Sequence, residues 1–310
     1  MKPHALLLTL TVALVAAPLF AQTSVAESPV WEIHLNVQKT LASPLGKFIM
    51  ELIEAEEPVV GEKIDEFVEA IGFDPRTEMG LVKIFGNSFE DIPDVTALVD
   101  LGNSRGNLEG WILAAPGYES ESIDDNTLLH SFNTEQGDVR LWCALPRSKK
   151  DNRYVLVASV EREKTIRLAK QVAAEGLSVS ASQISDDTLL SVRVNDLSAL
   201  PLDIDDADPG SGIIKIIQSI MVNVTTSSDT LTAQCVVEAD SSARTGQIFQ
   251  LLTGLKAMIQ LAATEDDPDV QQALELSNKL SIDYAEGEPT VSIKFSIEYD
   301  ELIKMIRENM

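Results

Sequence analysis

Carboxylates dominate the side chains that could do chemistry in this chain. Two strand-to-helix turns present them in matching order. "SVEREKTIRLAK" (Ser159 to Lys170) carries Glu161 and Glu163, and "SIEYDELIKMIR" (Ser296 to Arg307) carries Glu298 and Asp300. Facing acids in one cleft serve a glycosidase as acid and base, usually beside aromatics that stack on the sugar. Aromatics make up only 5% of this chain, which weighs against that chemistry. At a helix start the same acids complement the positive end of the helix. Glu163 with Arg167, and Asp300 with Lys304, also stand at i, i+4 in the favoured order for a surface pair. We read the two turns as one structural unit used twice and assign no catalytic residue.

Two further acidic loops are candidate cation sites. "DIDDADPGSG" places Asp203, Asp205, Asp206 and Asp208 within six residues, ending on glycine. Ca²⁺ takes several hard oxygens on such a loop. The loop departs from the EF-hand pattern, because Ala207 falls at the third ligand position. Its competing reading is a solvated Asp-Pro-Gly turn. "TEDDPD" (Thr264 to Asp269) is shorter and reads the same way. No cofactor other than Ca²⁺ is suggested, and these four aspartates are the candidate metal ligands.

Nucleophilic catalysis has little to build on. Only His34 and His130 lie beyond the leader, and His34 sits in an alternating strand, where a structural histidine is expected. There is no G-x-S-x-G, S-x-x-K, H-E-x-x-H, P-loop or G-x-G-x-x-G pattern. Cys143 and Cys235 lie in apolar strand-like runs whose spacing fits neither a redox motif nor a zinc site. They are either a disulfide or two buried thiols. Trp31, Trp111 and Trp142 fall in or beside regular elements and read as packing residues.

The first residues state an address. Lys2 precedes an apolar stretch from Ala5 to Ala17, Pro18 ends it, and small residues offer cleavage after Ala21 or Ala26. That is the form of a secretory signal peptide over 1–26. Nothing downstream approaches the roughly 18 continuous apolar residues of a spanning helix. The protein is expected in the periplasm or outside the cell. A formal net charge of −25 excludes nucleic acid and anionic membrane surfaces as partners.

The elements that carry these residues recur. From Ser159 against Ser296, the match runs through Val160 with Ile297, Glu161 with Glu298, Glu163 with Asp300 and Ile166 with Ile303. Upstream, "RYVLVASV" faces "TVSIKFSI", "VTALVDL" faces "LTAQCVV", "LVKIFG" faces "MVNVTT", and "IHLNVQKTL" faces "VRVNDLSAL". Matches in one order mean a duplicated domain. Copy one is expected over 27–181 and copy two over 182–310. A drop of roughly 20 residues in offset after the first strand fits an extra helix near Lys63 to Ile71 in copy one.

Each copy reads as strand, helices, strand pair, helix, strand pair and closing helix, an α+β unit with a largely antiparallel sheet. In copy one, helices are expected over Thr40 to Glu54, to Ile71 where Gly72 stops the chain, and over Leu108 to Ala115. In copy two they are expected over Ile213 to Ile220, Gln247 to Ala263 and Asp269 to Leu280. The stripe Ile248, Leu251, Leu252, Leu255, Met258, Ile259 and Ala262 is read as core.

The leader, the early "WEIHLN" strand and "GFDPRTEMGLVKIFG" (Gly72 to Gly86) together resemble exported bacterial proteins of uncharacterised function. In these, a G-F-D-P turn follows a helix and precedes a strand ending in glycine. The resemblance implies export and an α+β fold, and brings no activity or site residue. The expected function is a non-enzymatic binding or scaffolding protein of the bacterial cell envelope, with an envelope protein or an apolar ligand as partner. The alternatives are a lipid carrier with an apolar cavity between Gln247 to Ala263 and the sheet, and a carboxylate-dependent hydrolase.

Overall fold

Alternating residues form β1 (Trp31–Asn36), and the Asn36 side chain caps the next helix by accepting the Lys39 amide at 3.1 Å. Four helices follow: α1 (Val37–Ala42), α2 (Pro44–Glu56), α3 (Pro58–Ile71) and α4 (Pro75–Glu78). Gly72 ends α3 in the left-handed region, with φ of 70°, and its N–H bonds the Val68 carbonyl at 2.8 Å. In the G-F-D-P turn, Asp74 accepts the Arg76 amide at 2.9 Å and Pro75 opens α4. Then come β2 (Leu81–Gly86), β3 (Thr96–Gly102), α5 (Leu108–Ile112), β4 (Glu119–Asp124), β5 (Thr127–Asn133), β6 (Arg140–Ala144), β7 (Tyr154–Ser159) and α6 (Arg162–Glu175).

This computed structural model describes residues 29–56, 58–89, 94–134, 139–177, 185, 187–197, 215–262 and 274–308. They divide after residue 185 into two compact units. In the first, the strands lie in the order β1-β2-β3-β7-β6-β5-β4, each antiparallel to its neighbour. β3 and β7 are buried along almost their whole length, and their side chains alternate between two cores. Val99, Leu101, Leu156 and Ala158 pack with Ile71, Phe73, Leu108 and Ile112 from the ends of α3 and α5. Leu98, Val155 and Val157 pack against Val172 of α6. Gly106 sits where the link before α5 crosses the end of α3. A Cβ there would lie 2.3 Å from the Ile71 carbonyl oxygen, so only glycine fits without a backbone shift.

The second unit holds β8 (Thr188–Val194), β9 (Ile217–Ser227), β10 (Thr230–Ala239), α7 (Ser242–Ala262), a helical turn at 274–278, β11 (Leu280–Tyr284), β12 (Thr290–Glu298) and α8 (Tyr299–Glu308). Its strand order is β11-β12-β10-β9-β8, again antiparallel throughout. The first unit contains the same order as β6-β7-β3-β2-β1. Where "VTALVDL" and "LTAQCVV" align, Cys235 and Val237 take the places of Val99 and Leu101. They face α7 as that pair faces α5.

Two expectations need correction. The segment expected as a helix over Ile213 to Ile220 enters β9 at Ile217. Ile217 and Ile220 pair with β10 and pack beneath α7, an apolar run that suits either period. Leu280 belongs to β11, and helix is described only at 274–278 of the segment Asp269 to Leu280. The β4–β5 hairpin has no counterpart among the expected elements, because "ESESID" at the end of the sheet order has no apolar alternation to show. The leader over 1–26, the loops Asp203 to Asp208 and Thr264 to Asp269, and most of the junction expected near residue 181 lie outside the described residues.

α6 is pinned to the sheet by a buried ion pair. Lys164 Nζ lies 2.6 Å from Asp94 Oδ1 and also donates to the Asp94 carbonyl, and both side chains are under a tenth exposed. Removing one partner leaves a buried charge alone. Lys164→Met is therefore expected to cost about 3–5 kcal/mol in urea unfolding, with most of it recovered in Lys164→Met/Asp94→Asn. A loss below about 1 kcal/mol for the single variant would mean the pair is not what holds α6.

Candidate functional site

The hairpin that the sequence pattern concealed carries the buried histidine of a cavity. Asp124 pairs with Thr127 across a two-residue tip, and the Asn126 amide donates to Asp124 Oδ1 at 2.9 Å. Along β5 the faces alternate: Leu129 packs with Ala144 and Ala169 of α6, while His130, opposite Cys143, turns to the α5 side. His130 is 1% exposed. Its Nδ1 lies 3.0 Å from the Tyr118 hydroxyl, and its Nε2 lies 3.6 Å from Glu109 Oε1, beyond hydrogen-bond reach. Glu109 Oε2 accepts from Arg105 Nη1 at 2.6 Å, and the Arg105 guanidinium lies 5.3 Å over the Tyr154 ring.

A cavity of about 300 Å³ opens between these groups, the tip residues Asp124 and Asp125, and the apolar Leu128 and Leu145. Burial holds the His130 pKa below its ordinary value. Arg105 acts in the same direction and Glu109 opposes it. The ring is therefore neutral at pH 7. Ser122 also lines the cavity, and its hydroxyl donates to the Asp124 carbonyl at 2.7 Å instead of to the histidine. The arrangement can bind and exchange hydrogen bonds, and the Tyr118 hydroxyl lies within hydrogen-bond reach of the ring.

Helix α7 presents the other candidate surface. Thr245, Ile248, Phe249, Leu252 and Lys256 turn inward or are half-buried. Ile248, Phe249 and Leu252 fill the space against Val237, Val291 and Tyr284. The stripe read as core is thus two stripes. Leu251, Leu255, Met258 and Ile259 face outward, 37% to 66% exposed. α7 contains no aspartate or glutamate, in a chain with 49 of them.

The remaining expected residues play structural parts. Glu161 stands at the N-cap position of α6 without a side-chain cap bond, 3.7 Å from Lys164 Nζ, and Glu163 pairs with its neighbour Arg162, which also binds Glu121, instead of with Arg167. Asp300 and Glu301 open α8, where Lys279 reaches Glu301 at 2.6 Å. Cys143 and Cys235 are free thiols. Burial pushes Cys143 up to about 12 and raises Cys235 as well, so neither is a ready nucleophile. The Trp31 indole donates to the Ser88 carbonyl, Trp111 packs on the α5 core, and Trp142 lies under Arg140 and Arg162. No group of three or more His, Cys, Asp or Glu suited to a metal ion occurs among the described residues. None of the described helices is long and apolar enough to cross a membrane.

No protein-family model matches the chain, and no curated protein does. Among solved structures, TP0453 in crystal form IV aligns over 91% of this chain and 94% of its own, at 10% identity and a TM-score of 0.45. Its crystal form III aligns over 93% and 99%, at 10% identity and a TM-score of 0.42. At such values the likeness carries no argument.

His34, the other histidine, is structural, and it serves a carboxylate. Its Nε2 donates to Glu32 Oε2 at 3.0 Å, and Lys83 Nζ reaches the same oxygen at 3.0 Å. The His34 bond, aided by Lys83 and opposed by burial, lowers Glu32 to about 2. The folded-state value lies below the unfolded one of about 4.5, so the stabilisation is whole above pH 4.5 and fades as pH falls toward 2. Glu32→Gln is expected to cost about 3 kcal/mol near pH 7, and urea titrations should show that gap closing over this acid range. A gap that stays constant with pH would overturn the assignment.

Proposed function

We propose that the protein is an exported, non-enzymatic binding protein of the bacterial cell envelope, built from two copies of one α+β unit, whose second copy docks a partner polypeptide on α7. The leader supports export, and the strand order shared by the two units supports duplication. The observation that carries the binding reading is the outward stripe Leu251, Leu255, Met258 and Ile259. Apolar residues grouped on one exposed helix face mark an interaction surface.

Charge selects the occupant. A chain of net charge −25 is repelled at long range by a second copy of itself and by anionic lipid. An uncharged apolar face suits the apolar groove or helix of another protein. The carrier alternative asks for an apolar cavity behind α7, and that space is occupied by Ile248, Phe249 and Leu252. The cavity of about 300 Å³ lies in the first unit and is lined mainly by polar residues. The hydrolase alternative asks for acids of shifted pKa in one cleft, and Glu32, lowered to about 2, does not line that cavity.

A photocrosslinking residue at Met258, in protein expressed in its own envelope, is expected to capture one discrete polypeptide. The same residue at exposed Lys170 on α6 should not, and Leu255→Asp should reduce the yield at least tenfold. Adducts only with lipid would favour the carrier, adducts only with itself a second copy, and none above the Lys170 control would end the docking reading.

A further inference from the structure

The hairpin-tip cavity combines a ring nitrogen without a hydrogen bond, facing the cavity, with unbalanced charge. His130 is almost wholly buried, yet only its Nδ1 has a hydrogen-bond partner, because Glu109 stops 3.6 Å short of Nε2. His130 lines the cavity, so Nε2 can take a hydrogen bond from a ligand there. Three carboxylates line the space, Glu109, Asp124 and Asp125, against the single guanidinium of Arg105. That guanidinium is already paired with Glu109. The excess negative charge therefore sits at the tip, on Asp124 and Asp125. The described carboxylates and histidine are not grouped to hold a metal ion. An organic cation is the counterpart that remains.

We infer that this cavity binds a small linear diamine. One ammonium sits at Asp124 and Asp125, the alkyl stem lies on Leu128 and Leu145, and the second nitrogen donates to His130 Nε2 beside Glu109. For that bond Nε2 must accept, so Nδ1 carries the proton and donates to the Tyr118 oxygen, a role a phenolic oxygen can take. The neutral ring required is the form that burial favours. A zwitterion is disfavoured because its carboxylate would compete with Glu109 for Arg105. The volume, about 300 Å³, is at the lower end for ligand pockets and suits a short chain. The site is independent of α7.

Calorimetric titration of the full mature chain with 1,4-diaminobutane at pH 7.5 is expected to give saturable one-to-one binding. Asp124→Asn/Asp125→Asn, at exposed tip positions that leave the core untouched, should weaken it at least tenfold with unchanged circular dichroism. Glu286→Gln/Glu288→Gln, on an exposed turn of the second unit, should leave it unchanged. In wild type the His130 ¹⁵Nε2 resonance should shift as diamine is added. Absent saturation, equal weakening by the two double variants, or a stationary His130 signal would each overturn the assignment. So would tighter binding of glycine than of the diamine.

Discussion

β3 and β7 lie side by side with buried side chains on both faces, so each face of the first unit's sheet needs its own helical cover. One cover is α6, which continues directly from β7 and is held down by Lys164 on Asp94. The other is assembled from the ends of α3 and α5, which meet at Gly106. α5 is only a single turn or so, and it leaves part of its face open. The cavity beside His130 occupies that opening, with the β4–β5 hairpin as its outer wall. In the second unit one long helix does the work of α5, and the open face is the helix's own outer side.

Much of this was legible where local pattern and tertiary environment agree. "WEIHLN", "TALVDLG" and "YVLVAS" alternate or run apolar as their burial requires, and Gly72-Phe73-Asp74-Pro75 stops one helix and caps the next. The strand-to-helix closure at Glu161 and at Glu298 recurs because the same strand order and the same helix start recur. Period alone fails in two other places. Ile213 to Ile220 fits helix or strand, and only pairing with β10 decides for strand from Ile217. On α7, stripes three and four residues apart merge in the sequence. Which of them is core depends on what covers the helix, and nothing in the residues of α7 says that the outer one is left exposed.

The His130 site was illegible for a different reason. Its parts come from the link before α5, from α5, from the tail toward β4 and from β5, and no short motif contains them. The one local signal was Arg105 and Glu109 at i, i+4, which is common on helix surfaces. Conversely, the carboxylates most conspicuous in the sequence, at Glu161, Glu163, Glu298 and Asp300, stand at a helix start in each unit. Count and spacing of acids measure solubility as readily as chemistry.

Both candidate surfaces grow from one connection. Between β3 and β6 the first unit inserts α5 and a hairpin over 103–139; between β10 and β11 the second inserts α7 and a short turn of helix over 240–279. The two connections are of nearly equal length, which is why the spacing between the matched strand sequences stays constant across them. The five strands around them hold the same order, since altering any one would unpair its neighbours' backbone groups. The connection faces less of this penalty, because α5 and α7 lie over a face of the sheet, and β5 and β4 extend its edge beyond β6 without entering the shared order. A chain of this design can vary that one place without disturbing the shared strands. In this chain the result is a polar cavity in one unit and an apolar helix face in the other.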